Sequence, residues 1–148
     1  MEFVHEITAF LENKPGRLAK ICSALAHEKV DLRALSVMDA NGRSVLRFVT
    51  DHLEETRKVL TSLGTEFSSN EVLAVEMENR PGALARLLER LAEEHINVEY
   101  AYSAASGSPG RSLGIFHTSN PRRAQQLLGE SHGNGSGQSP QRRPLHSR

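Results

Sequence analysis

Residues 13–20, Asn13-Lys14-Pro15-Gly16-Arg17-Leu18-Ala19-Lys20, return sixty-six positions later as Asn79-Arg80-Pro81-Gly82-Ala83-Leu84-Ala85-Arg86. An internal repeat restricts a chain more than any single motif, because each copy has to reach the same supersecondary unit. The offset holds on both sides of this match. Ile7, Ala9 and Leu11 fall on Leu73, Val75 and Met77, while Leu25-Ala26, Val30 and Asp31 fall on Leu91-Ala92, Ile96 and Asn97. It grows by two before Val59-Leu60, which matches Leu127-Leu128, because the loop Ser106–Gly110 is longer than Ala40-Asn41-Gly42. A match that keeps its phase across four elements is a duplication.

Each copy reads as strand, helix, strand, strand, helix. Period-two alternation at Ile7–Leu11 and Leu73–Met77 predicts the first strand. Leu18, Ile21, Cys22 and Leu25, matched by Leu84, Leu87, Leu88 and Leu91, form the apolar stripe of an amphipathic helix. Two further strands are predicted near 33–39 and 44–50, and again near 99–104 and 111–117, the first pair joined at Asn41-Gly42. A second helix is predicted to open at Asp51 with Glu54 in capping-box spacing, and at Asn120-Pro121 in the second copy. A fourth strand near 65–67 completes βαββαβ, the ferredoxin-like arrangement. The fold class is therefore α+β: two tandem units packed as a pseudo-dimer, residues 1–70 and 71–130. The second lacks its last strand, and its edge is either left open or completed by a partner. Residues 131–148, rich in Gly, Ser and Gln, read as a disordered tail.

The chemistry concentrates in Asn-Lys/Arg-Pro-Gly, present between the first strand and first helix of both copies. Glycine permits a sharp turn or close approach of a ligand, and the first helical turn offers unpaired N–H groups at its positive end, which suits a carboxylate. Asn13 and Asn79 add donors and acceptors beside it. The competing reading is that asparagine caps the helix and Pro-Gly merely turns the chain.

Together these features resemble the ACT domain, a βαββαβ small-molecule-sensing module, in the form of stand-alone tandem pairs that bind amino acids. The residues that carry the resemblance are Phe10–Leu18 and Val75–Leu84, with Val30-Asp31-Leu32 and Ile96–Ser103. It implies a free amino acid held where two units meet, by Asn13, Pro15, Gly16 and Asp31 in one copy and by Asn79, Pro81, Gly82 and Asn97 in the other. Backbone N–H groups would take the ligand's carboxylate, and Asp31 or Asn97 its ammonium group. The Asp-to-Asn difference makes the two sites unequal. Tyr100 and Tyr102, on one strand face with Val98, either wall the ligand pocket or pack between sheet and helix.

Composition removes the other classes. Residues 1–130 hold fifteen bases and eighteen acids, a net charge of −3 that disfavours nucleic acid as a partner. The single cysteine, Cys22, lies on the helix stripe and fits a reducing compartment; no disulfide can form within the chain. The seven histidines show no metal-ligand spacing, and no Ser/His/Asp set or phosphate loop is present, so no catalytic residue, metal or cofactor is expected. No signal peptide or apolar span is found, and a cytoplasmic location without a membrane partner is expected. The expectation is a non-enzymatic sensor, dimeric, that binds an amino acid. The alternative is a regulatory subunit that docks on an amino-acid biosynthetic enzyme through a sheet edge, the unfilled strand position after the last helix being the natural place.

Overall fold

The computed structural model describes residues 1–130; the tail expected at 131–148 lies outside the described residues. In chain order the elements are β1 (Glu2–Glu12), α1 (Arg17–His27), β2 (Ala34–Ala40), β3 (Arg43–Val49), α2 (Leu53–Ser62), β4 (Glu66–Glu78), α3 (Ala83–Glu93), β5 (Val98–Ala105), β6 (Arg111–Thr118) and α4 (Pro121–Glu130). All six strands form one antiparallel sheet in the order β2-β3-β1-β4-β6-β5.

The two long central strands explain how two units share this sheet. The short fourth strand expected near 65–67 is the opening of β4, which runs on for thirteen residues and becomes the first strand of the second copy. The division expected at 70/71 falls within this strand. β1 behaves in the same way. Its residues from Glu6 onward pair with β3, whereas Glu2–His5 pair only with β4, from Ala74 back to Glu71. The strand missing from the second copy's own sequence is therefore supplied by the N-terminal residues of β1. His5 pairs with Glu71, its own counterpart in the repeat, so a pseudo-two-fold axis passes between them. The vacant strand position is filled from within the chain and is not a docking edge; among the described residues the outermost strands are β2 and β5.

The helices cover one face of the sheet and give two cores, one per copy. The first gathers Ile7, Ala9, Leu11, Ile21, Leu25, Leu46, Phe48 and Leu60. The second gathers Leu73, Val75, Leu91, Ile96, Phe116, Ala124 and Leu128, with Phe3 of β1 packed against it. Phe48 is fully buried in the first core. The helix-free face has its own core of Val4, Ala34, Val49, Val72, Ala74 and Ile115. The outer strands β2 and β5, at opposite ends of the strand order, come into contact, so the sheet curls around this third core.

Several local expectations change. α1 and α3 are capped by Gly16 and Gly82 in the left-handed conformation, at φ 86° and 87°, with no side-chain cap hydrogen bond. The asparagine therefore does not cap the helix, and the reason for glycine is the positive φ. α2 does not open on an Asp51–Glu54 capping box: His52 is its N-cap, and Asp51 instead pairs with Arg33 at 3.3 Å. Asn120 does cap α4, its Oδ1 accepting from the Arg123 N–H at 3.1 Å. A bulge between Val98 and Tyr100 shifts the register of β5. Val98 consequently packs under the helices, while Tyr102 joins the helix-free core. The shared face predicted for Val98 and the two tyrosines does not exist.

Candidate functional site

Two cavities bear on the predicted loops, one in each copy. The second-copy cavity, of about 330 Å³, is lined by Met77, Asn79, Arg80, Leu84, Tyr102 and Ser103, with Gly114 and Phe116 as its floor. Gly114 pairs with Val75 and Ser103, as Leu46 pairs with Ala9 and Val37 in the first copy. Leu46 is fully buried at the position that Gly114 takes in the second copy. Met77 Cε and Phe116 Cε2 lean to within 2.5 Å of where a Cβ at Gly114 would stand. Met77 and Phe116 thus fold over the bare backbone at Gly114, where the first copy has the Leu46 side chain, and the cavity opens beside them. Sequence reasoning passed over Gly114; the Leu46-to-Gly114 mismatch at offset 68 was the available signal.

The predicted residues do not gather into one cluster. Asn79 belongs to the cavity, with its backbone N–H bonded to the Gly110 carbonyl of the β5–β6 hairpin at 2.9 Å. Pro81 and Gly82 follow in the exposed loop that starts α3. Asn97 lies past the other end of that helix, and eleven residues at 1.5 Å each put it about 16 Å away along the axis. Its N–H instead bonds Ser119 Oγ at 3.0 Å. The first copy repeats this layout: Asn13, Pro15 and Gly16 sit at the start of α1, and exposed Asp31 comes after its far end. Asn13 Nδ2 donates to Asp39 at 3.5 Å. Within one chain, the residues expected to take the two ends of an amino acid are thus separated by a helix in each copy.

Tyr100 and Tyr102 serve a different centre. Both hydroxyls donate to Glu6 of β1, Tyr102 at 2.6 Å and Tyr100 at a short contact. Glu6 is 0% exposed. Tyr100 is sandwiched: Arg47 of β3 lies 4.1 Å from its ring centre, and His117 stacks on it at 4.7 Å. His117 in turn lies 2.6 Å from Glu99. These side chains bridge β1 and β3 of the first copy to β5 and β6 of the second, across the curled face. Tyr102 thus lines the second-copy cavity as well as reaching Glu6, and it joins the helix-free core rather than packing under a helix. The signal for this centre was a glutamate in phase with the buried positions Val4 and Thr8 on a central strand.

Burial, and then the hydrogen bonds to Glu6, push both tyrosine hydroxyls well above the ordinary value of 10.0. A raised folded-state pKa means that this stabilisation is complete below pH 10.0 and fades as pH rises beyond it. Urea midpoints should therefore fall between about pH 10 and 12, and a Tyr100→Phe/Tyr102→Phe double variant should show a flatter profile over that window. Equal slopes for the two proteins would assign the alkaline loss to other groups.

A family model described as the ACT domain pair matches residues 2–132. The chain belongs to this family. Its crystallographic neighbours include a Bacteroides thetaiotaomicron protein, with 28% identity, TM-score 0.81, and coverage of 88% of this chain and 89% of that one. The ligand-free regulatory subunit of aspartate kinase from Thermus thermophilus shows 18% identity and TM-score 0.66 over 87% and 94% of the two chains. The corresponding regulatory subunit from Thermus flavus shows 17% identity and TM-score 0.62 over 88% and 94%. At these identities the two Thermus proteins show a shared fold. No curated protein matches the chain. In this ACT domain pair, no helix among the described residues is long and apolar enough to cross a membrane. No group of three or more His, Cys, Asp or Glu among those residues could hold a metal ion.

Proposed function

We propose that this ACT domain pair is a non-catalytic regulatory sensor that binds a free amino acid at the second-copy cavity. The observation that carries the reading is the cavity bordered by Asn79, Arg80 and Gly114, which opens beside the loop that starts α3. The first-turn N–H groups of α3 are oriented to receive a carboxylate, and Met77, Leu84 and Phe116 offer an apolar surface to a side chain. Because Asn97 lies at the far end of α3, the acceptor for the ligand's ammonium group comes from a second copy of the chain. Leu84, 49% exposed at the rim, is the kind of apolar residue such a copy would cover. The first-copy loop, Asn13-Lys14-Pro15-Gly16, and Asp31 are the weaker second site, because the buried Leu46 stands there where the second copy has Gly114. The working assembly on this reading is a cytoplasmic homodimer.

A thermal-shift screen against the twenty amino acids tests the proposal. A ligand at 100 times its Kd stabilises by about 2.7 kcal/mol, a shift of several degrees for a chain of this size. Gly114→Leu, which restores the first-copy residue, and Asn79→Ala should each remove the shift. The second variant guards against misfolding of the first. Light scattering should show a dimer in the presence of the ligand.

A flat screen would favour the regulatory-subunit reading, which has its own support. The edge strand β2 leaves Leu35, Val37 and Met38 roughly half exposed, an apolar border able to meet a biosynthetic enzyme. Two neighbours in fold are themselves named as regulatory subunits of aspartate kinase.

A further inference from the structure

We propose that the first copy carries a separate binding site for a compact organic dianion, in the cavity between α1 and the turn that leads into β4. This cavity, of about 280 Å³, forms because β1 outruns β4. Their pairing stops at Phe10–Glu66, and Leu11 and Glu12 continue past the end of the ladder. The walls come from α1, from Arg43 at the start of β3, and from Leu63, Gly64 and Thr65. Gly64 adopts φ +65° with no atom near its Cβ position, so the wall there is bare backbone.

The electrostatics point to the ligand class. Three cations, Arg17, Lys20 and Arg43, line the cavity against two carboxylates, Glu12 and Glu66. Glu66 pairs with Arg43 at 2.8 Å, and Glu12 with Lys14 at 3.0 Å and Arg17 at 3.6 Å, so both carboxylates and two of the three cations are already engaged. Among the described residues Lys20 enters no ion pair. Arg17 and Lys20 occupy the first and fourth positions of α1, whose first turn holds no acidic residue. Cations there face the positive end of the helix dipole, an unfavourable placement that a bound anion would relieve. A floor including buried Leu11 and Ile21, beside Phe10, suits a short carbon skeleton better than a bare inorganic ion.

The repeat shows that the scaffold does not require this arrangement. The positions of Arg17 and Phe10 are taken in the second copy by Ala83 and Glu76, removing one cation and adding an acid. The two copies have therefore diverged at this surface, the first keeping Arg17 beside Lys20 where the second has Ala83 beside Arg86. This site stands apart from the amino-acid cavity, so either proposal survives failure of the other.

Two ligand sources share the required chemistry, a dicarboxylate and a phosphate ester. Succinate and glycerol 3-phosphate, titrated separately into the ¹⁵N-labelled full chain at ionic strength held constant with sodium chloride, test them. Saturable shifts of the amides of residues 17–21 and 63–66 by either probe are expected, the better binder naming the source. Lys20→Ala should weaken binding about tenfold or more, and Arg86→Ala, the counterpart in the second copy, should leave it unchanged. Non-saturating shifts with both probes, equal affinity in Lys20→Ala, or shifts confined to the Asn79 cavity would overturn the proposal.

Discussion

Deleting residues 1–5 is expected to loosen the second ACT unit, although those residues precede the first. Glu2–His5 pair with Ala74–Glu71 and have no partner on β3. Val4 is 7% exposed in the helix-free core, and Phe3 packs against the second unit's core. Burying side chains of this kind is worth about 1.5–3 kcal/mol each, and the deletion also frees the edge of β4. A loss of about 4 kcal/mol follows, a large part of the 5–15 kcal/mol that typically holds a domain folded. The melting temperature should fall by roughly 10 °C. Hydrogen exchange should accelerate in the Glu71–Glu78 half of β4, in β6 and in α3, ahead of α1 and α2. Faster exchange confined to α1 and α2 would refute the assignment of β1 as the second unit's closing strand.

The second large effect is expected at Glu6. Its carboxylate accepts from both tyrosine hydroxyls in a site closed to solvent, with Arg47 against one ring. Glu6→Ala leaves two half-buried hydroxyls without their acceptor and creates a void, and each stranded donor costs about 1–3 kcal/mol. Replacing the whole set with apolar groups of similar shape is much cheaper, because no donor is stranded. The triple variant Glu6→Leu/Tyr100→Phe/Tyr102→Phe should therefore unfold at a higher urea concentration than Glu6→Ala. A triple variant weaker than the single one would mean that Arg47 needs the carboxylate more than the tyrosines do. Because β5 meets β2 over this cluster, faster amide exchange along β2 should accompany Glu6→Ala.

The difference between what was legible and what was not follows from the range of the interactions. Amphipathic periods, the Asn-Gly and Asn-Pro dipeptides and the repeat act over a few residues or recur along the chain, and they located all four helices and the sheet class. The Asp51–Glu54 capping box failed because Arg33, eighteen residues away, pairs with Asp51. The shared face of Val98 and the tyrosines failed because a one-residue bulge reverses strand parity, and no composition signal marks it. That a helix of fixed rise sets Asn97 apart from Asn79 within one chain is likewise a matter of three dimensions.

The amino-acid sequence by itself determined that this protein is two copies of one α+β unit, with an Asn-x-Pro-Gly loop at the start of each first helix and a last strand absent from the second copy. These are properties of local propensity and of repetition, which need no knowledge of neighbours. Only the tertiary structure decided that β1 closes the second copy, that a cavity opens beside Gly114, and that Glu6 draws in the tyrosines of β5. Each depends on which strand lies beside which across the sheet, and that is set by backbone pairing and burial between segments as many as ninety-six residues apart.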